Sequence, residues 1–147
     1  RGDKRGDRKG LGRPAVKITA DANILVRAAT QDDPAQGSLA QKLMKDAAVV
    51  AVPIPALCEF CWVLKSVYKF EPARIAASLR FLIEAENVAM DRPGVEAGLA
   101  LLEAGGDFTD GIIAYDGQWL DGETFVSFDT TAVELLTARG YKALVPK

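Results

Sequence analysis

Four carboxylates in this chain occupy positions from which they could act together. Asp21 and Asp129 each follow a short β-branched or aromatic run that predicts a strand. Asp110 falls in the first turn of a helix predicted after Gly105–Gly106, and Glu59 lies one turn into the helix predicted after the second strand. Because ligands bind beyond the carboxyl ends of parallel strands, which lie along one edge of the sheet, we expect the four acids to converge there.

Convergence of these acids predicts a metal site. Carboxylates brought together at low dielectric repel one another, so they are stable only when protonated, paired or bound to a cation. Oxygen ligands without His or Cys favour Mg²⁺ or Mn²⁺, and such ions serve phosphoryl chemistry. Each acid taken alone could instead be a helix cap or a solvated charge. That alternative fits Glu59 least, because Glu59 interrupts an otherwise apolar helix.

The elements that must position these acids alternate along the chain, which predicts an α/β fold with a parallel sheet covered on both faces. Prolines favour the first turn of a helix, and several predicted helices begin at one. The predicted strands cover residues 16–19, 49–54, 87–90, 125–128 and 143–145. The predicted helices cover about 23–29, 34–47, 55–70, 72–85, 93–104, 109–114 and 132–139, with threonine caps on the last two and a polar loop over 116–123.

The domain organisation follows from composition. Residues 1–15 hold six basic and two acidic residues, four glycines and almost nothing apolar, which predicts a disordered basic leader or an expression remnant. Residues 16–147 are expected to form one domain. They carry 12 basic and 18 acidic residues, an acidic balance that is not typical of a non-specific nucleic-acid binder unless cations bind to it.

Composition also excludes several function classes. The chain has no histidine, so catalytic triads, histidine zinc sites and histidine acid–base ribonuclease mechanisms are excluded. No apolar run approaches the roughly 20 residues of a membrane helix, so no membrane association is expected. Cys58 and Cys61 are too few for a disulfide framework, which fits a reducing cytoplasm. Their position inside an apolar helix predicts buried thiols.

Four stretches carry a resemblance to a known family: ADANILVRAATQDD (20–33), VPIPALCEFCWVLKSVYKF (52–70), GGDFTDGIIA (105–114) and VSFDTTA (126–132). In this order they resemble the PIN-domain nucleases, and most closely the VapC toxins of bacterial toxin–antitoxin pairs. The resemblance implies a Rossmann-like three-layer α/β/α sandwich, a homodimer, and a metal-dependent endoribonuclease that hydrolyses RNA. It also implies a cognate VapB-like antitoxin peptide as a partner.

The resemblance assigns roles to individual residues. The catalytic positions fall on Asp21, Glu59, Asp110 and Asp129, of which Asp21, Asp110 and Asp129 hold Mg²⁺ or Mn²⁺. Asn23 is expected to orient them, and Asp107 to join through water. The chain departs from the family at Ala22, where a hydroxyl residue is usual, and at Gly111, where alanine is usual and where glycine is expected to loosen the helix start.

Other residues are assigned from position alone. Arg27 and Lys65 follow site residues by one to two helical turns and could bind substrate phosphates, although a solvated charge is the alternative. Trp62 and its neighbouring aromatics are expected to pack in the core or a dimer.

Two further functions remain open. One is a catalytically silent PIN-like binding or interaction module. The other is an α/β phosphotransfer domain with an acceptor aspartate, which is disfavoured because Lys142 precedes the last strand instead of ending it.

Overall fold

Helices and short parallel strands alternate along the chain in the computed structural model, which describes residues 16–147. The leader predicted over residues 1–15 therefore lies outside the described residues. The strands are β1 Lys17–Thr19, β2 Val49–Ala51, β3 Val88–Ala89, β4 Thr124–Val126 and β5 Lys142–Leu144. The helices are α1 Ala22–Ala29, α2 Pro34–Asp46, α3 Ile54–Ser66, α4 Pro72–Glu84, α5 Arg92–Glu103, α6 Phe108–Trp119 and α7 Thr130–Ala138.

The strands form two small parallel sheets where a single one was predicted. The first has the order β1-β2-β3, with Ile18 opposite Val50 and Val50 opposite Val88. The second contains only β4 and β5, with Phe125 opposite Ala143. The strands are two or three residues long, so each ladder is short.

The buried side chains form two clusters that match the two sheets. The larger cluster packs helices α1, α3, α4, α5 and the start of α6 against the first sheet, around Leu57, Phe60, Leu79 and Phe108. The smaller one contains Leu101, Ala114 and Leu136, with Phe125 of β4 against it. The second sheet thus has a small core of its own, which is why it can form without joining the first ladder. No helix in residues 16–147 is long and apolar enough to cross a bilayer.

Several helix boundaries differ from the predicted ones. Helix α6 continues through the predicted polar loop to Trp119, whose ring packs edge-on against Tyr115 one turn earlier, at 6.3 Å between ring centroids. Helix α3 ends at Ser66 because the chain turns at Lys69, which has a φ of 58°. The caps of α6 and α7 are Asp107 and Asp129, so the predicted threonine caps are wrong.

Gly111 allows helices α5 and α6 to approach closely. A Cβ at this position would lie 2.8 Å from the Ala97 carbonyl oxygen and 2.9 Å from the Gly98 Cα. Both are backbone atoms, which cannot move away as a flexible side chain can. The expectation that Gly111 loosens the start of the helix is therefore wrong, because here the missing side chain lets the helix pack.

Candidate functional site

Asp21 lies where the first sheet ends and α1 begins. The backbone N–H of Ala20 donates to the Ala51 carbonyl at 2.9 Å, so the parallel ladder continues to the residue just before Asp21. Asp21 is the N-cap of α1, and its Oδ1 accepts the N–H of Ala22 at 2.8 Å. Its side chain is held by this local bond at the carboxyl end of β1, as the strand prediction required.

Asp107, Asp110 and Asp129 lie together where α6 meets α7. Asp107 caps α6, with Oδ2 accepting the Asp110 N–H at 3.2 Å, and Asp110 occupies the first turn of that helix. Asp129 caps α7, with Oδ1 accepting the Ala132 N–H at 3.1 Å. Because α6 and α7 pack against each other, the two capped ends carry their carboxylates into the same region.

The electrostatics of this group centre on Asp110, which is half-buried. Burial raises the pKa of the Asp110 carboxyl above its usual range, and the negative charges of Asp107 and Asp129 raise it further. The positive charge of Lys65 acts in the opposite direction. The site therefore concentrates negative charge around one partly desolvated carboxylate, and the positive charge of Lys65 partly offsets it.

Helix α3 connects the two ends of the predicted site. It packs against α1, which Asp21 caps, and against α6, which carries Asp110. Glu59 and Lys65 are exposed on α3, and Trp62 between them is 62% exposed. Neither Asp21 nor Glu59 is among the charges that shift the pKa of Asp110. The structure therefore brings Asp107, Asp110 and Asp129 together with Lys65, while Asp21 and Glu59 lie on neighbouring elements.

A complete metal-ligand set is not assembled by the described part of the chain. Within residues 16–147, no group of three or more His, Cys, Asp or Glu residues is arranged so that it could hold a metal ion. The donor chemistry nevertheless fits a hard cation, because the negative charges of Asp107 and Asp129 act on the carboxyl of Asp110. The three predicted ligands, Asp21, Asp110 and Asp129, therefore remain a prediction, as do the roles of Glu59 and of Asn23, which is exposed in the first turn of α1.

Arg27 belongs to a polar network at the other end of α1. Its Nε donates to Gln36 Oε1 at 2.7 Å, and its Nη1 donates to Tyr68 Oη at 3.1 Å. Tyr68 in turn donates to Asp32 Oδ2 at 2.7 Å, and Thr30 donates to Asp32 Oδ1 at 2.9 Å. The network joins the α1–α2 loop to the chain after α3, so phosphate binding by Arg27 would compete with these bonds.

Replacing Tyr68 by Phe is expected to lower the free energy of unfolding at neutral pH and to make that free energy depend less on pH in the acid range. The hydrogen bond from Tyr68 is the largest cause of the lowered pKa of Asp32, followed by the bond from Thr30. A carboxyl whose pKa is lowered by folding stabilises the fold at pH values above its pKa in the unfolded state. This stabilisation is lost as the pH falls through its pKa in the folded state. Urea unfolding at pH 7, 5 and 3 should show the wild-type advantage shrinking below about pH 4. A constant difference across that range would contradict this linkage.

The two thiols take the positions predicted for core cysteines. Cys61 is buried in the larger cluster and Cys58 packs partly against it, and both are free. Burial is the main cause of the raised pKa of Cys61, so this thiol stays protonated and a poor nucleophile at neutral pH.

A large concave surface lies elsewhere, between α1, α2, α3, α4 and β3. It has a volume of about 680 Å³ and is mostly apolar, with Leu25, Met44, Phe60 and Leu82 in its wall and the cations of Lys45 and Arg74 beside them. A second cavity of about 490 Å³ adjoins Tyr115 and Trp119. None of the four predicted catalytic acids lines either cavity.

Comparison of the chain with models of known protein families and with curated proteins finds no match. The function must therefore be argued from the residues and their placement.

Two features of the site were missed in the sequence. Asp107 is the N-cap of α6, and its carboxylate accepts the N–H of Asp110 three residues later. The Asp-x-x-Asp spacing is compatible with this role. Phe128, directly before Asp129, is 81% exposed, which its place in the strand predicted over 125–128 does not indicate. No local signal distinguishes an exposed from a buried aromatic at a strand end, because that depends on what packs against it.

Proposed function

We propose that this chain is a metal-dependent endoribonuclease of the VapC toxin type, acting through the acids at the junction of α6 and α7. The supporting observation is the placement of Asp107, Asp110 and Asp129 at two adjoining helix starts, with Lys65 beside them. A cluster of carboxylates that repel one another suits a cation and an anionic substrate better than it suits stability. The motif resemblance adds RNA as the substrate.

The residues proposed to hold Mg²⁺ or Mn²⁺ are Asp21, Asp110 and Asp129. A bound ion of this kind supplies polarisation of the phosphate and activation of water. In the chain itself, Asp107 positions Asp110 through its cap of α6. Asp129 is held in the same way by its bond to the Ala132 N–H.

Two side chains of α3 are proposed to act on the substrate. Lys65 lies close enough to influence Asp110 and is exposed, so its ammonium can neutralise a phosphate oxygen near that carboxylate. Glu59, which is exposed on α3, is proposed to orient a water molecule or accept a proton from it. Without histidine, hydrolysis by water is favoured over attack by the 2′-hydroxyl.

Cleavage of RNA with identified fragment ends tests this function. We expect cleavage of RNA in Mg²⁺ or Mn²⁺, loss of cleavage in EDTA, and recovery when metal is added in excess. Water attack leaves 5′-phosphate and 3′-hydroxyl ends, whereas 2′-hydroxyl attack leaves 2′,3′-cyclic phosphates. Cyclic phosphate ends, or cleavage that survives EDTA, would contradict the mechanism. Binding of RNA without cleavage in any metal would favour the silent PIN-like module.

The finer architecture and the partners are proposed on separate observations. The two small parallel sheets and the helices around them are proposed to form the three-layer α/β/α sandwich of PIN domains.

Trp62 and Val67 leave apolar surface exposed on and just after α3, at 62% and 60%, which supports a homodimer through this region. The apolar cavity with Lys45 and Arg74 supports an antitoxin-like peptide that presents apolar and acidic side chains.

A further inference from the structure

Phe128 is the most exposed aromatic side chain in residues 16–147, and it directly precedes Asp129. It is 81% exposed and belongs to neither buried cluster. Of the other strongly exposed rings, Phe81 lines the apolar cavity and Trp119 ends α6 against Tyr115, whereas Trp62 lies on α3 between Glu59 and Lys65. Single exposed apolar side chains are common on protein surfaces, so what distinguishes Phe128 is its position directly before Asp129.

The backbone on both sides of Phe128 is fixed. The Ser127 N–H donates to the Leu144 carbonyl at 3.2 Å, which extends the ladder between β4 and β5. The Asp129 N–H donates to Ser127 Oγ at 3.0 Å, and the Asp129 carboxylate caps α7. The ring is thus carried on a rigid turn, and a rigid aromatic surface binds a flat ligand with little loss of conformational entropy.

The surroundings determine what kind of ligand fits. Residues 16–147 have six more acidic than basic side chains, and Asp129 at this turn acts electrostatically on Asp110 together with Asp107. Electrostatic attraction therefore contributes little to the affinity of such a site for RNA. A nucleobase stacked on an aromatic face adds affinity that does not depend on charge and that tolerates every base.

We propose that Phe128 is a stacking platform for one unpaired nucleobase of single-stranded RNA, next to the phosphate that is cleaved. This inference rests on the proposed ribonuclease function and specifies its substrate as single-stranded at that position. The Cα atoms of Phe128 and Asp129 are about 3.8 Å apart across their trans peptide. A base on the ring therefore belongs to a nucleotide at or next to the one whose phosphate meets Asp129. Bases paired in a duplex do not expose a free face to the ring.

The test uses a short single-stranded RNA with 2-aminopurine at a central position, titrated in EDTA so that no cleavage occurs. The wild-type protein is expected to quench the 2-aminopurine fluorescence on binding. Phe128→Ala should weaken binding by about 5- to 150-fold and remove the quenching, the range of one lost base stack. Phe128→Trp should retain both. Phe81→Ala, the matched control at an equally exposed phenylalanine, should bind like the wild type.

Several outcomes would overturn the inference. Phe128→Ala could bind and quench like the wild type, or a duplex of the same sequence could bind as tightly as the single strand. Light scattering could instead show that Phe128→Ala changes the oligomeric state, which would make Phe128 an interface residue between copies of the chain. If the wild type cleaves RNA and Phe128→Ala has the same kcat/KM, the ribonuclease function stands without the platform. If the wild type neither binds nor cleaves RNA, both proposals fail.

Discussion

Replacing Asp129 by Asn is expected to lower RNA cleavage by roughly a hundredfold or more while the protein stays folded. Changes that only support a metal ligand cost about 10- to 100-fold in activity, so loss of a ligating oxygen should cost at least as much. Asparagine caps a helix about as well as aspartate, so α7 should still begin at Thr130. Removal of one negative charge near Asp110 also relieves repulsion. Initial rates in Mg²⁺ and urea unfolding of the same sample measure the two effects separately.

The matched control is Asp33→Asn. Asp33 caps α2 as Asp129 caps α7, with its Oδ1 accepting the Gln36 N–H at 3.0 Å, but it lies outside the acidic cluster. Both variants change one capping carboxylate to an amide, so only their place in the fold differs. If both variants lose activity equally, or if Asp129→Asn cleaves RNA at the wild-type rate, Asp129 is not part of the site.

Replacing Gly111 by Ala is expected to destabilise the fold by a net amount of up to about 2 kcal/mol, because overpacking usually costs about 1–3 kcal/mol. The new Cβ would meet the Ala97 carbonyl oxygen at 2.8 Å and the Leu101 Cβ at 3.0 Å, so α5 and α6 must move apart. The better helix propensity of alanine, about 1 kcal/mol, offsets only part of this. Because Asp110 is the neighbouring residue, the same shift should also reduce cleavage. Urea unfolding measures the stability, and a rise in the unfolding midpoint would contradict the close approach.

The control lies in the same helix. A Cβ added at Gly117 has no atom within 4 Å, so Gly117→Ala changes only the intrinsic helix preference. It should raise stability by about 0.5–1 kcal/mol. The same substitution in one helix is thus expected to have opposite signs at two positions, which helix propensity alone cannot produce.

The local features of this fold could be predicted from the sequence because they depend on near neighbours. β-Branched runs such as Val49–Ala51 are strands, and Pro34 and Pro72 lie in the first turns of α2 and α4. Asp21 and Asp129 follow strands as expected, since an aspartate accepts bonds from the backbone just after it and so ends one element and starts the next. The exclusion of histidine chemistry likewise needed only the composition.

The tertiary structure determines how these helices and strands pack together. A single sheet edge was expected to gather all four acids, but Asp21 follows a strand of the first sheet and Asp129 a strand of the second. The cluster around Asp110 forms instead because α6 packs on α7 and on α3, contacts between residues far apart in sequence. The reason for glycine at position 111 is the backbone of α5, which no local pattern contains. Close approach, burial and the charge felt by a carboxylate depend on distant segments, and only the folded chain brings those segments together.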